Sequence, residues 1–110
     1  AIPVAAICGA TLLLARGGFL DERRHTSNAA SYLEASGYRG GTRYEEAPVV
    51  TNWGVTTASG IHAIPFTAEI MRITGLVPDA MVDSWEQVFL NGREKDYMAL
   101  MEATVAWQNA

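Results

Sequence analysis

Twelve residues near the start, Val4-Ala5-Ala6-Ile7-Cys8-Gly9-Ala10-Thr11-Leu12-Leu13-Leu14-Ala15, constrain this chain more than any other stretch. The run changes character at Cys8-Gly9. Before it stand small and branched apolar residues suited to a buried strand; after it stand residues that favour helix. A strand over residues 3–7 that turns sharply at Cys8 into a helix from Gly9 lifts the cysteine to the carboxyl end of a sheet, where open α/β folds place their sites. The first free N–H groups of that helix face the same point and favour an anion, either a thiolate or an oxyanion. The same residues also suit a strand and helix around a buried, inert cysteine, since free cysteine is among the most buried residue types.

The rest of the chain reads as alternating elements. Residues 1–7 are apolar on both faces, as in a central parallel strand covered by helices. A helix over 9–16 ends at Gly17-Gly18, which suit a left-handed cap. Residues 25–27 read as a short strand, and Ser27 or Asn28 is placed to cap a helix reaching Ser36. Residues 43–46 alternate like a strand, and Pro48 marks a strand start. Two β-branched arms, 49–51 and 55–58, flank Asn52-Trp53-Gly54 and form the strongest hairpin signal in the chain. A helix follows over 61–74, stopped by Gly75. The tail changes composition: Asp79 is placed to cap a helix over 80–90, Asn91-Gly92 breaks it, and a second helix runs over 93–107. Tyr97, Leu100, Met101, Thr104 and Trp107 share one face of that last helix, a face that needs something to bury against. The expected organisation is an α/β unit over 1–76 and a helical extension over 77–110.

Composition excludes several classes. The 110 residues carry a net charge of −4, which disfavours nucleic acid or an anionic membrane surface as a partner. No apolar run approaches the roughly 18 residues of a membrane span. The single cysteine forms no internal disulfide, and a reducing, cytoplasmic setting is the expectation. One cysteine and two histidines at scattered positions match no recurrent metal-ligand spacing. Gly9-Ala10-Thr11 lacks the lysine and glycine spacing of a phosphate-binding loop. Neither a cofactor nor a metal is expected.

Four stretches in order carry a resemblance: Cys8-Gly9-Ala10-Thr11; Gly18-Phe19-Leu20-Asp21-Glu22-Arg23-Arg24-His25-Thr26-Ser27-Asn28; Tyr44 to Thr51 with Val55-Thr56-Thr57-Ala58-Ser59-Gly60; and Pro65-Phe66-Thr67-Ala68-Glu69-Ile70. Together they resemble the ThiJ/PfpI superfamily, whose members share the class I glutamine amidotransferase-like fold. The resemblance implies part of a flavodoxin-like three-layer α/β/α sandwich, with a nucleophile elbow, a hairpin and a helical C-terminal extension. It implies about half of the family's domain, the strands ahead of the nucleophile strand and an acidic residue facing the cysteine lying upstream. A missing N-terminal segment or a second copy is then an expected partner, beside a small-molecule substrate.

The resemblance assigns Cys8 as a nucleophilic or oxidation-sensitive thiol, and it makes the N–H of Gly9 an oxyanion donor. A cysteine hydrolase needs a base, usually histidine. Only His25 and His62 are available, and a strand position that is His in some relatives is Asn28 here. His25 lies three residues earlier and faces elsewhere in an extended segment. His62 follows a loop that in the family approaches the cysteine, so it is the better candidate. For both histidines a solvated or structurally bonded ring is the alternative. The implied activity is a hydrolase, amidase or glyoxalase-like enzyme acting on a small electrophilic substrate. A non-catalytic stress-response, redox-sensing or chaperone-like member of the same fold is the other reading.

Overall fold

The structure, a computed structural model, describes residues 2–110. The chain divides into two compact units, Ala1–Phe66 and Thr67–Ala110. The first is built on a three-stranded sheet of β1 (Val4–Ile7), β2 (Val49–Asn52) and β3 (Val55–Ala58), in the order β1-β3-β2. The hairpin forms where its residues imply. Trp53 at φ 47° and Gly54 at φ 75° are both left-handed, as the two-residue turn that matches strand twist demands. The returning strand then lies antiparallel to β2 and parallel to β1, with Ile7 opposite Ala58. Paired on both sides, β3 is buried at all four positions.

β1 stands at the edge of this sheet, pairing with β3 alone among the described residues, and Val4 and Ala5 are exposed. Its pairing begins at Val4, whose N–H donates to the Gly54 carbonyl at 2.9 Å. Pro3, which has no N–H, lies outside the strand. Ala1 of the expected strand falls outside the described residues.

α1 (Ala10–Arg16) and α2 (Ala30–Glu34) complete this unit. Ala15, Leu20, Leu33 and Val55 form its core, with Leu12, Leu14, Tyr32, Tyr38 and Tyr44 packed against them. α2 is shorter than its sequence suggests and is preceded by Ala29, with no side-chain cap. Ser27 and Asn28 do not cap it because their side chains are engaged at the elbow. Residues 43–46 form no strand: Gly41–Arg43 is a 3-10 turn, and only an isolated parallel bridge joins Tyr44 to His25.

α3 (Ala63–Thr74) crosses the division between the units, after a 3-10 turn at Gly60–His62. In the second unit α4 (Asp79–Asn91) and α5 (Glu94–Gln108) form a helical hairpin. Gly92 at φ 64° closes α4, its N–H donating to the Val88 carbonyl. Asp79 is the first residue of α4 and Pro78 its cap, one position earlier than expected. The Arg72 guanidinium donates to Asp83 and Glu86, both at 2.7 Å, and the two carboxylates raise its pKa further above the ordinary arginine range. The expected apolar face of α5 stays largely open: Tyr97, Met101 and Trp107 are about half exposed, and only Leu100 and Thr104 of that set are half-buried. No described helix is long and apolar enough to cross a membrane.

Candidate active site

Strand β1 gives way to α1 through a single residue in an unfavourable conformation. Cys8 sits at φ 57°, a left-handed geometry that costs a non-glycine residue roughly 1–3 kcal/mol. Its neighbours hold it there. The Cys8 N–H donates to the Ala58 carbonyl at 3.0 Å, extending the β1–β3 ladder by one residue. The Cys8 carbonyl accepts from Thr11 Oγ1 at 2.6 Å and from the Thr11 N–H at 3.3 Å. The buried Thr11 hydroxyl lies 2.7 Å from Ser27 Oγ, and the Ser27 carbonyl accepts from the Tyr44 hydroxyl at 3.2 Å. The turn is thus tied to the strand behind it and to the loop beside it.

The consequence is an exposed thiol. Gly9 and Ala10, at the head of α1, leave their N–H groups without a bond in this turn, while Thr11 and Leu12 donate back to Cys8 and Gly9. Gly9 adopts an ordinary helical φ of −63°. A β-carbon there would meet only the Tyr32 hydroxyl at 3.6 Å, so neither crowding nor backbone strain requires the glycine; it leaves the helix head open.

Two residues close on the sulfur from the far side. Asn28 Nδ2 is 3.5 Å from Sγ, and Asn28 Oδ1 accepts the Gly60 N–H at 2.9 Å. Because the Gly60 N–H can meet only the amide oxygen, it fixes the amide with its nitrogen toward sulfur. Gly60 permits this approach: a β-carbon on it would stand 3.0 Å from Sγ and 3.3 Å from the Cys8 β-carbon. The polar partner of the thiol is thus the Asn28 amide, which donates but does not take up a proton.

The histidines stand elsewhere. His25 is wholly buried, with Nδ1 2.8 Å from the Arg23 carbonyl and Nε2 2.8 Å from the Tyr38 hydroxyl. A carbonyl only accepts, so Nδ1 carries the proton and Nε2 accepts from Tyr38. Edge-on contacts with Tyr38 and Tyr44 fill the rest of its surroundings. Burial pushes its pKa down, against the Arg23 carbonyl and the charge of Glu45; Tyr38 is raised, first by burial and then by Glu34, Tyr44 and Asp21. His25 is bonded at both nitrogens into the core and makes no contact with Cys8.

His62 lies in the 3-10 turn, its Nδ1 2.8 Å from Ser59 Oγ. It lines a cavity of about 390 Å³ together with Ser27, Asn28, Tyr44, Glu46 and Ser59. Asn28 is the link, lining that cavity while touching the sulfur. His62 makes no direct contact with Cys8. The sequence reading missed Thr11, Ser27, Ser59 and Gly60. A hydroxyl three residues after a turn residue is a visible signal for Thr11; nothing local marks Ser27 or Gly60, which meet Thr11 and Asn28 only through the fold, and Ser59 bonds its near neighbour His62.

Comparison with known proteins bears on this geometry. The DJ-1/PfpI family model matches residues 1–73. Among curated relatives, a Bacillus subtilis protein named "uncharacterized protease YoaZ" is 36% identical over 100 residues, 89% of this chain and 48% of that protein. A second, "uncharacterized protease YdeA" of the same organism, is 36% identical over 74 residues, 66% of this chain and 37% of that protein. A ThiJ/PfpI family protein from Bacillus anthracis superposes with a TM-score of 0.87 at 35% identity, over 93% of this chain and 49% of its own. The DJ-1 superfamily protein Atu0886 from Agrobacterium tumefaciens gives 0.72 at 35% identity, over 79% and 47%. The chain spans about half the length of the first of these relatives.

Proposed function

The chain belongs to the DJ-1/PfpI family, and on that premise we propose that Cys8 is the nucleophile of a cysteine-dependent hydrolase acting on the carbonyl carbon of a small amide. The observation that carries this reading is the left-handed Cys8, its sulfur exposed and facing the Asn28 amide. The word "protease" in the names of the B. subtilis relatives supports an amide bond as the one broken. Sulfur adds to the carbonyl, and the oxygen that becomes negative faces the N–H groups of Gly9 and Ala10. The C–N bond then breaks, the amine leaves with a proton, and water cleaves the thioester to return thiol and carboxylic acid. Asn28 takes no proton, so His62, on the cavity that Asn28 also lines, is the group we assign to carry one by way of substrate or water. The open edge of β1 is covered in this reading by further chain or by a second copy.

The test is turnover of glutamine, a small amide and methylglyoxal by the purified protein and by Cys8→Ser. Loss of all turnover in Cys8→Ser, with native circular dichroism, is the expected result; an unchanged rate would overturn the assignment. One observation favours a second reading, a thiol that senses oxidants. Sulfur touches an amide donor rather than a base, a contact that offers no route for proton transfer. A wild type that turns over none of the panel but loses its thiol to peroxide would establish that role instead.

A further inference from the structure

The cavity beside Cys8 carries a single carboxylate among neutral lining groups. The Thr26 hydroxyl donates to the Ala47 carbonyl and the Tyr44 hydroxyl to the Ser27 carbonyl. Thr11 donates to the Cys8 carbonyl, so in the Thr11–Ser27 pair the proton is that of Ser27. Ser59 and His62 share one hydrogen bond. These lining groups keep donors as well as acceptors: the Ser59–His62 pair has one proton to spare, Asn28 Nδ2 has a second N–H, and Ala29 and Ala30 stand at the uncapped head of α2. The cavity lining contributes one formal charge, the carboxylate of Glu46, and includes no lysine or arginine. Other acidic groups nearby are engaged: Glu45 pairs with Arg24 at 3.2 Å and Glu22 with Arg43 at 3.5 Å, and Asp21 accepts the Arg39 N–H at 3.2 Å. Glu46 has no ionic or hydrogen-bond partner among the described residues.

We propose that this cavity selects substrates bearing an amine or other cationic N–H group, held by Glu46, and rejects those bearing a carboxylate. The proposal rests on the reading of Cys8 as the nucleophile, because Asn28 joins the cavity to the sulfur. The unpaired carboxylate attracts a cation and repels an anion. Glu46 is exposed, so the effect is screened and modest rather than absolute.

The single cysteine makes the test direct. Methanethiosulfonate reagents with aminoethyl, methyl and sulfonatoethyl groups each form a mixed disulfide with Cys8 and release methanesulfinate, differing in the charge they bring. Rate constants are divided by those for free 2-mercaptoethanol. The expected result is a cationic-to-anionic ratio well above one that falls about three- to tenfold in Glu46→Gln. Glu34→Gln, the same loss of charge on α2 outside the cavity lining, is expected to keep the wild-type ratio. A ratio unmoved by Glu46→Gln, or lowered equally by Glu34→Gln, would overturn the proposal. The expected ratios in a protein without Cys8-dependent turnover would overturn the catalytic reading and leave the charge preference of the cavity standing.

Discussion

Replacing Gly60 by alanine separates the reactivity of Cys8 from the stability of the fold. In most loops a glycine-to-alanine change at a compatible backbone angle stabilises by about 0.4–1 kcal/mol, because the unfolded chain loses freedom. Gly60 has no left-handed φ to forbid alanine. The obstacle is local: the new methyl would stand 3.0 Å from Sγ and 3.3 Å from the Cys8 β-carbon, inside the roughly 3.5–4.0 Å of an unstrained contact. Something must give by several tenths of an ångström. The backbone of Cys8 is held by Ala58 and Thr11, whereas its side chain is exposed to solvent and held only by the Asn28 contact. The sulfur therefore moves, and the Asn28 contact, already at 3.5 Å, is lost. A rotamer adjustment costs about 0.5–1.5 kcal/mol, close to the entropic gain, so net stability is expected to stay within about 1 kcal/mol. For a unit of this size that is a melting shift of no more than about 4–8 °C. Losing one hydrogen bond to the sulfur is worth about 0.5–1.5 kcal/mol, or roughly a two- to tenfold slower reaction with iodoacetamide at neutral pH. The paired measurement is that rate and the thermal midpoint. An unchanged rate would refute the claim that Gly60 and Asn28 set the position of the sulfur; a collapsed midpoint would show that the strain is carried by backbone instead.

Two further outcomes follow from buried groups. Thr11→Val keeps the shape of a fully buried side chain but leaves the Ser27 hydroxyl and the Cys8 carbonyl each short of a partner; a loss of about 1–3 kcal/mol in urea unfolding is expected, and a loss below experimental error would count against the tie. His25 binds its proton less readily when folded than the roughly 6.5 of a free imidazole, so below that pH the unfolded chain takes up more protons. Its contribution is intact above about pH 6.5 and declines as pH falls toward the depressed folded value, with a slope of up to about 1.4 kcal/mol per pH unit; urea midpoints at pH 7 and pH 5 for wild type and His25→Gln measure it, and equal slopes would refute it.

How much of this was legible in the sequence differs by element. The strand, the cysteine turn and the helix after it lie within twelve neighbouring residues, and local pattern found them. The hairpin was readable for the same reason, since Trp53-Gly54 needs no distant partner to turn the chain. The family resemblance named the fold from motifs that stand in order. The edge position of β1 was readable only through the resemblance, which puts its neighbour strands upstream; the apolar run itself looks the same whether one strand or two will pair with it. Nor was the open face of α5, whose apolar spacing shows that burial is favourable without showing what is there to bury against.

Ser27 and Asn28 mark where local reading stops and the site begins. Either one has the chemistry of a helix cap, and α2 starts two residues after Asn28 without one. A cap contributes about 1 kcal/mol to a helix, and here both side chains are drawn to partners 16 to 32 residues away: Ser27 to Thr11, Asn28 to Cys8 and Gly60. The left-handed Cys8 is a strained residue, and strain of that kind persists only where surrounding structure over-determines it. The cap forgone by α2 and the strain held at Cys8 are thus the same event seen from two sides: groups that would have stabilised a helix locally are used to hold a thiol where it meets solvent. If that is so, the helix and the site can be perturbed one without the other. Moving the capping function to Ala29, by Ala29→Ser, is compatible with the extended backbone there (φ −164°, ψ 155°) and is expected to stabilise α2 without touching Cys8, whereas Asn28→Ala is expected to slow thiol alkylation while leaving the melting point within a few degrees. A melting point that falls sharply in Asn28→Ala would mean that Asn28 serves the fold first and the sulfur only by proximity.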